Sequence, residues 1–134
     1  KASAADRLAA LLHDAPEYVI GDMISPFKAI VGGDYKSVER RLQEAIHLRF
    51  GLPAQMTKTL KDTIKRADRI SAFFEATRLA GFSESEAARL FGRPRGVSPD
   101  DLPIEPMSAT RVQRLFSKRF DEIETGRLKI VDCA

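Results

Sequence analysis

The sequence predicts an all-α protein, a bundle of about five helices around one core. Three observations lead there. Apolar residues recur at helical spacing through most of the chain, helix start and stop signals bracket those segments, and no alternating run is long enough to support a sheet. With 134 residues the chain is expected to form one domain, residues 1–134.

The elements follow in order. Segment 4–15 carries Leu8, Leu11, Leu12 and Ala15 at helical spacing. Pro16 interrupts it, because proline cannot donate to the carbonyl of Leu12, so the helix must bend, loosen or end nearby. The stretches "GDMISPFK" and "GGD" read as connections. Asp34 is placed to cap a helix running to about Phe50, with Gly51 as its stop. A long helix is expected over about 55–80, ending at Gly81. Ser83 and Glu86 form a capping-box pattern for a short helix to Phe91. Residues 92–106 hold four prolines and two glycines and read as an ordered loop. Ser108 is placed to cap a last helix with Val112, Leu115, Phe116, Phe120 and Ile123 on one face. The tail "RLKIVDCA" reads equally as a short strand or an arm.

Composition narrows the function. Apolar residues make up 43% and charged residues 31%, which is globular. The longest apolar stretches fall short of the ~20 residues of a membrane span. The single cysteine, Cys133, can build neither a disulfide within one chain nor a cysteine zinc site. One cysteine and no leader-like pattern make a cytoplasmic setting the expectation. Twenty-two basic residues against 19 acidic ones give a net charge of +3. That balance argues against a dedicated nucleic-acid arm and is compatible with a small anionic substrate.

The candidate site begins in "LAALLHDAPEYVIGD", where a leucine stripe runs into His13, Asp14 and Glu17. If the helix continues through Pro16, all three reach one side, since residues three and four apart share a face. Imidazole and carboxylate suit borderline divalent cations. The plainer reading is a surface turn with solvated acids. A second segment must complete any coordination sphere, and the long helix offers Asp68, on the flank of an apolar face running through Leu60, Ile64, Ala67, Ser71 and Phe74. Asp68 reads equally as a surface partner of Arg66 or Arg69. His47 reads as a helix-end histidine bonded to the last carbonyls.

"LLHDAPEYVIGD", followed about fifty residues later by "IKRADRI", resembles the HD-domain phosphohydrolase superfamily, and within it the bacterial hydrolases similar to 5'-deoxynucleotidases. The resemblance covers residues 1 to about 80. It implies an HD-like helical bundle, one divalent metal ion (Mn, Co, Fe, Zn, Ni or Mg), and His13, Asp14 and Asp68 as its ligands. Glu17 would orient or deprotonate the attacking water. Asp22, in "GD", matches a position close to substrate and water, and Lys28 a lysine near the site. Lys28, Lys65 and Arg66 are the candidates for contacting phosphate. The implied reaction is metal-dependent hydrolysis of a phosphomonoester, of 5'-nucleotidase type, by a homodimer. The family's first histidine lies upstream of the His-Asp pair. The chain starts at Lys1 and enters a helix at once, so the N-terminal helices are expected to be missing from it. Three alternatives stand beside this: a degenerate HD domain binding a nucleotide or a protein without catalysis, a helical interaction module presenting Leu115, Phe116 and Phe120, and a nucleic-acid binder using the stripe Lys58, Lys61, Lys65 and Arg69.

Overall fold

The computed structural model describes residues 2–23, 30–102 and 104–131, with side chains as far as residue 127. It is all-helical. The described elements are α1 (Ala4–Leu11), α2 (Glu17–Ile20), α3 (Gly33–Arg49), α4 (Lys58–Arg78), α5 (Glu84–Phe91), a 3-10 turn (Pro99–Asp101) and α6 (Ala109–Val131), with no strand among the described residues. No described helix is long and apolar enough to cross a membrane. The chain divides into two compact units, Lys1–Thr57 with Lys118–Ala134, and Lys58–Ser117.

In the first unit, α1 starts on a reciprocal cap. Ser3 Oγ accepts from the Asp6 amide at 3.0 Å, and Asp6 returns the contact to the Ser3 amide at 3.1 Å. Its inward face buries Ala4, Leu8 and Ala9, with Leu8 at 0% exposure and Leu12 just beyond. Each such leucine contributes roughly 1.5–3 kcal/mol through burial. The helix ends at Leu11, short of the expected Ala15. Further on, Gly32 precedes α3 with φ 81 and no side-chain cap. Asp34, expected as the cap, instead sits in the first turn, where a carboxylate still complements the positive end of the helix.

The end of α3 is held from several sides. The Phe50 ring meets Phe120 of α6 edge-on, centroids 5.4 Å apart. Arg127 grips Glu124 through two bonds of 3.0 Å and donates to the Gly51 carbonyl at 3.2 Å. Gly51 has φ 63, and a Cβ there would lie 3.2 Å from the Arg127 guanidinium, so both backbone conformation and close approach favour glycine. His47 differs from expectation. Its ring does not bond the last carbonyls of its own helix but is 1% exposed, and its Nδ1 donates to the Pro53 carbonyl, 2.9 Å away and beyond the helix. A carbonyl can only accept, so Nδ1 carries the proton. With the Leu52 amide bonded to the His47 carbonyl at 2.8 Å, this one residue fastens the turn after α3.

The second unit has its own core. Phe73, Phe74 and Ala76 of α4 and Ala87 of α5 are buried together, and Ile70, Ala88 and Phe91 pack on them with Val97, Leu102 and Ile104 of the following loop. These contacts give the proline-rich loop its order. Within it, Ser98 and Asp101 cap the 3-10 turn. Ser108 caps α6, accepting from the Arg111 amide at 3.3 Å. The ambiguous tail is helical as far as Val131. Ser83 and Glu86 form the expected capping box on α5.

Two outcomes follow from these packing and capping contacts. His47→Ala removes a fully buried ring and leaves the Pro53 carbonyl without its donor, so urea unfolding should show a loss of about 2–4 kcal/mol. A loss below about 0.5 kcal/mol, the range of ordinary surface substitutions, would deny the ring that role. The Ser83 hydroxyl, and after it the Ser83 amide, hold the Glu86 carboxyl below its ordinary pKa. A carboxylate depressed by folding contributes stability above its unfolded pKa and loses that contribution as pH falls through the folded value. Ser83→Ala should therefore raise the Glu86 pKa toward the usual carboxylate range in a carboxyl-carbon NMR titration, and an unmoved titration would mean the box is not closed in solution.

Candidate functional site

The site starts from the end of α1. A helix leaves its last carbonyls without intrahelical donors. Here the Ala10 carbonyl takes His13 Nδ1 at 2.8 Å, and the Leu12 carbonyl takes Gln43 Nε2 from α3 at 3.3 Å. The carbonyl acceptor again fixes the proton on Nδ1. The other ring nitrogen, Nε2, is buried and has no hydrogen-bond partner. It stands 3.0 Å from Asp14 Oδ2, close enough for an ion pair but outside hydrogen-bonding angles. The His13 side chain is 33% exposed and that of Asp14 is 62% exposed. The pair thus presents an imidazole nitrogen beside a carboxylate, with the ring oriented by a backbone carbonyl, which is how a metal-ligating histidine is commonly set.

The route to this pair is not the expected one. Residues 12–16 are turns, with Ala15 bonding Leu12 at 3.1 Å and Glu17 bonding Asp14 at 2.9 Å through their amides. The chain does not carry helical spacing through Pro16, so the i, i+3, i+4 rule does not bring His13, Asp14 and Glu17 to one face. Glu17 opens α2 and is half-buried, while Asp22 follows α2 and is exposed. Asp68 is exposed on α4, as is its neighbour Ala67, and it makes no ion pair or hydrogen bond among the described residues, so the expected pairing with Arg66 or Arg69 does not form. His13 and Asp14 belong to the first unit and Asp68 to the second. Among the described residues no three His, Cys, Asp or Glu side chains are gathered as a cation would need. Lys28 and Cys133 lie outside the described residues.

Lys65 and Arg66 come together in the second unit, where they line a cleft of about 610 Å³ with Asp62, Arg69, Arg93 and Arg95. Positions 62, 65, 66 and 69 are helical neighbours and so share one face of α4. The other two arginines come from the loop after α5, where Gly92 turns the chain at φ 80. Asp62 is engaged by Lys58 at 2.6 Å, and Arg93 approaches Glu84 at 3.8 Å. Lys65, Arg66, Arg69 and Arg95 make no ion pair or hydrogen bond among the described residues. Ile70 and Phe91 supply an apolar wall. The sequence held one signal for this cleft, the basic stripe on the long helix. The contribution of Arg93 and Arg95 was hidden in a loop more than twenty residues away.

No model of a known protein family matches the chain. An uncharacterized protein of Rhodobacter capsulatus is 52% identical to it over 113 residues, 84% of this chain. The chain spans 58% of that relative's length.

Proposed function

We propose that the chain belongs to a metal-dependent phosphohydrolase of the HD-domain kind, hydrolysing a phosphomonoester of nucleotide type in the cytoplasm. The observation that carries the reading is the His13–Asp14 pair, with Nδ1 tied to the Ala10 carbonyl and Nε2 buried, unbonded and 3.0 Å from the carboxylate. This donor chemistry fits a divalent cation (Mn, Co, Fe, Zn, Ni or Mg). The resemblance adds Asp68 as a further ligand. When bound, such an ion lowers the pKa of a coordinated water and offsets phosphoryl charge. Glu17 then takes or orients a proton of the attacking water, and Asp22 orders water or substrate next to it. Lys65 and Arg66, and Lys28 by resemblance, hold the phosphate.

A second reading, a nucleotide-binding module without turnover, is favoured by one finding: the described residues gather no set of three metal donors. A phosphate-release screen separates the two. The protein is offered nucleoside monophosphates with each of the six metals. Release should depend on the metal. Glu17→Ala should lower kcat by roughly 100-fold or more while metal affinity by calorimetry is kept. His13→Ala and Asp68→Ala should lose the metal itself. No release with any metal, alongside retained nucleotide binding, would leave the second reading standing and remove the first.

Homodimer formation is part of the proposal. It is supported by Val112, Leu115 and Phe116, which form an exposed apolar row on α6, 51%, 47% and 45% accessible. Light scattering behind size exclusion should give twice the chain mass, and Phe116→Asp should return it to one chain. A single-chain mass for the unmodified protein would end the dimer proposal.

A further inference from the structure

The net charge of the chain is small, but its distribution in the second unit is not. Five cations line one cleft against a single carboxylate, and that carboxylate is already engaged by Lys58. Like charges held on one helix face and one short loop repel one another, and no described residue relieves Lys65, Arg66, Arg69 or Arg95. Such a set is stabilised by a polyanion. Arginine is the residue suited to phosphate, because its planar fork offers paired donors, and four of the five cations are arginines.

Three features narrow the ligand. A phosphomonoester carries at most a double charge, which leaves most of the set unmatched, whereas adjacent phosphates match it. The cleft, about 610 Å³, falls in the size range of small-molecule sites rather than of an extended strand track. Its wall of Ile70 and half-buried Phe91 offers a flat apolar surface for a base. The wider basic stripe does not extend the cleft, since Lys58 is paired with Asp62 and Lys61 is not among the lining residues.

We infer that this cleft is a binding site for a nucleoside di- or triphosphate, its phosphates held by Arg66, Arg69 and Arg95 and its base against Phe91. The inference shares Lys65 and Arg66 with the hydrolase proposal but does not rest on it, because binding here requires no turnover, no cation and no His13.

The test is calorimetric titration of the intact chain at low salt, with EDTA present to silence any metal centre. The probes are ATP, AMP, inorganic tripolyphosphate and a 20-nucleotide single-stranded DNA. ATP should bind once per chain, at least about tenfold tighter than AMP and tighter than tripolyphosphate, and should weaken as salt rises. The double substitution Arg69→Ala with Arg95→Ala should lower ATP affinity at least about tenfold, the scale of lost charge-assisted hydrogen bonds, with circular dichroism and melting unchanged. Unaltered ATP affinity in that folded double variant would overturn the location. Tripolyphosphate binding equal to ATP would overturn the nucleotide assignment. DNA binding tighter than ATP and rising with strand length would replace the site with a nucleic-acid surface. A protein that binds ATP in this way yet releases no phosphate with any metal would sink the hydrolase proposal alone.

Discussion

Pro16 is the constraint on which the arrangement around the candidate site depends. It brings no amide proton to the Leu12 carbonyl, and its ring opposes an uninterrupted helix. The effect reaches back to Leu11, where α1 ends. Beyond that end the Ala10 and Leu12 carbonyls accept turn amides, from His13 and Ala15, and each takes a side-chain donor as well, His13 Nδ1 and Gln43 Nε2. Gln43 ties the turn to α3. His13 has its tautomer and ring direction set by the same bond. The proline thus sits where the helix gives way to turns, and the carbonyls at that end are met by side chains from its own turn and from α3.

Charge operates on a different scale. Twenty-two cations and 19 anions nearly cancel over the chain, and much of that cancellation is local. Lys58 meets Asp62, Arg111 meets Glu105, Arg119 meets Glu122, and Arg127 meets Glu124, mostly on exposed or half-exposed surface where each pair is worth little. The informative cations are those left over. They collect on one side of α4 because residues 65, 66 and 69 share a helical face, and the loop after α5 adds Arg95, with Arg93 lining the same cleft while it approaches Glu84, once Gly92 has turned it. A near-neutral composition therefore says little about whether a strongly positive site exists.

How much could be read from the sequence depended on the range of the physics. Local rules worked where the partners were local. The Ser83–Glu86 box, the Ser108 cap and the glycine after α3 all formed as their spacing implied. The all-helical class followed from periodicity, which is also a local property. Asp34 missed its cap by little, because the preceding Gly32 takes the positive φ that ends the connection. The failures were non-local. His47 reads as bonding the last carbonyls of its own helix because nothing in "AIHLRFG" tells that Pro53, six residues on, will present its carbonyl to a buried ring. The shared face of His13, Asp14 and Glu17 was, by contrast, conditional on the helix continuing through Pro16, and there the local proline rule decided: the backbone turned instead. Arg93 and Arg95 sat in a loop whose order comes from Val97, Leu102 and Ile104 packing on the α4–α5 core, a tertiary contact no pattern rule contains.

The bond from His13 to Ala10 admits a purely structural reading, in which the imidazole is only a helix cap. Capping asks nothing of Nε2, and an amide serves as well, as Gln43 does one turn away. A histidine used for that alone buries a second polar nitrogen with no bond, at a cost of roughly 1–3 kcal/mol. That cost by itself does not mark a ligand. His47 carries the same burden, with Nδ1 bonded to a carbonyl and Nε2 buried and unbonded, and its ring is sealed in the core at 1% exposure. What separates His13 is its surroundings. A carboxylate oxygen stands 3.0 Å from the unbonded nitrogen, and both side chains are open enough to be approached, a third of the imidazole and most of the carboxylate being accessible. An unbonded nitrogen in a ring that is 1% exposed is explained by packing. The His13 nitrogen, equally buried, has instead an anion 3.0 Å away and belongs to a partly exposed pair of side chains, and that is the difference in setting between the two histidines.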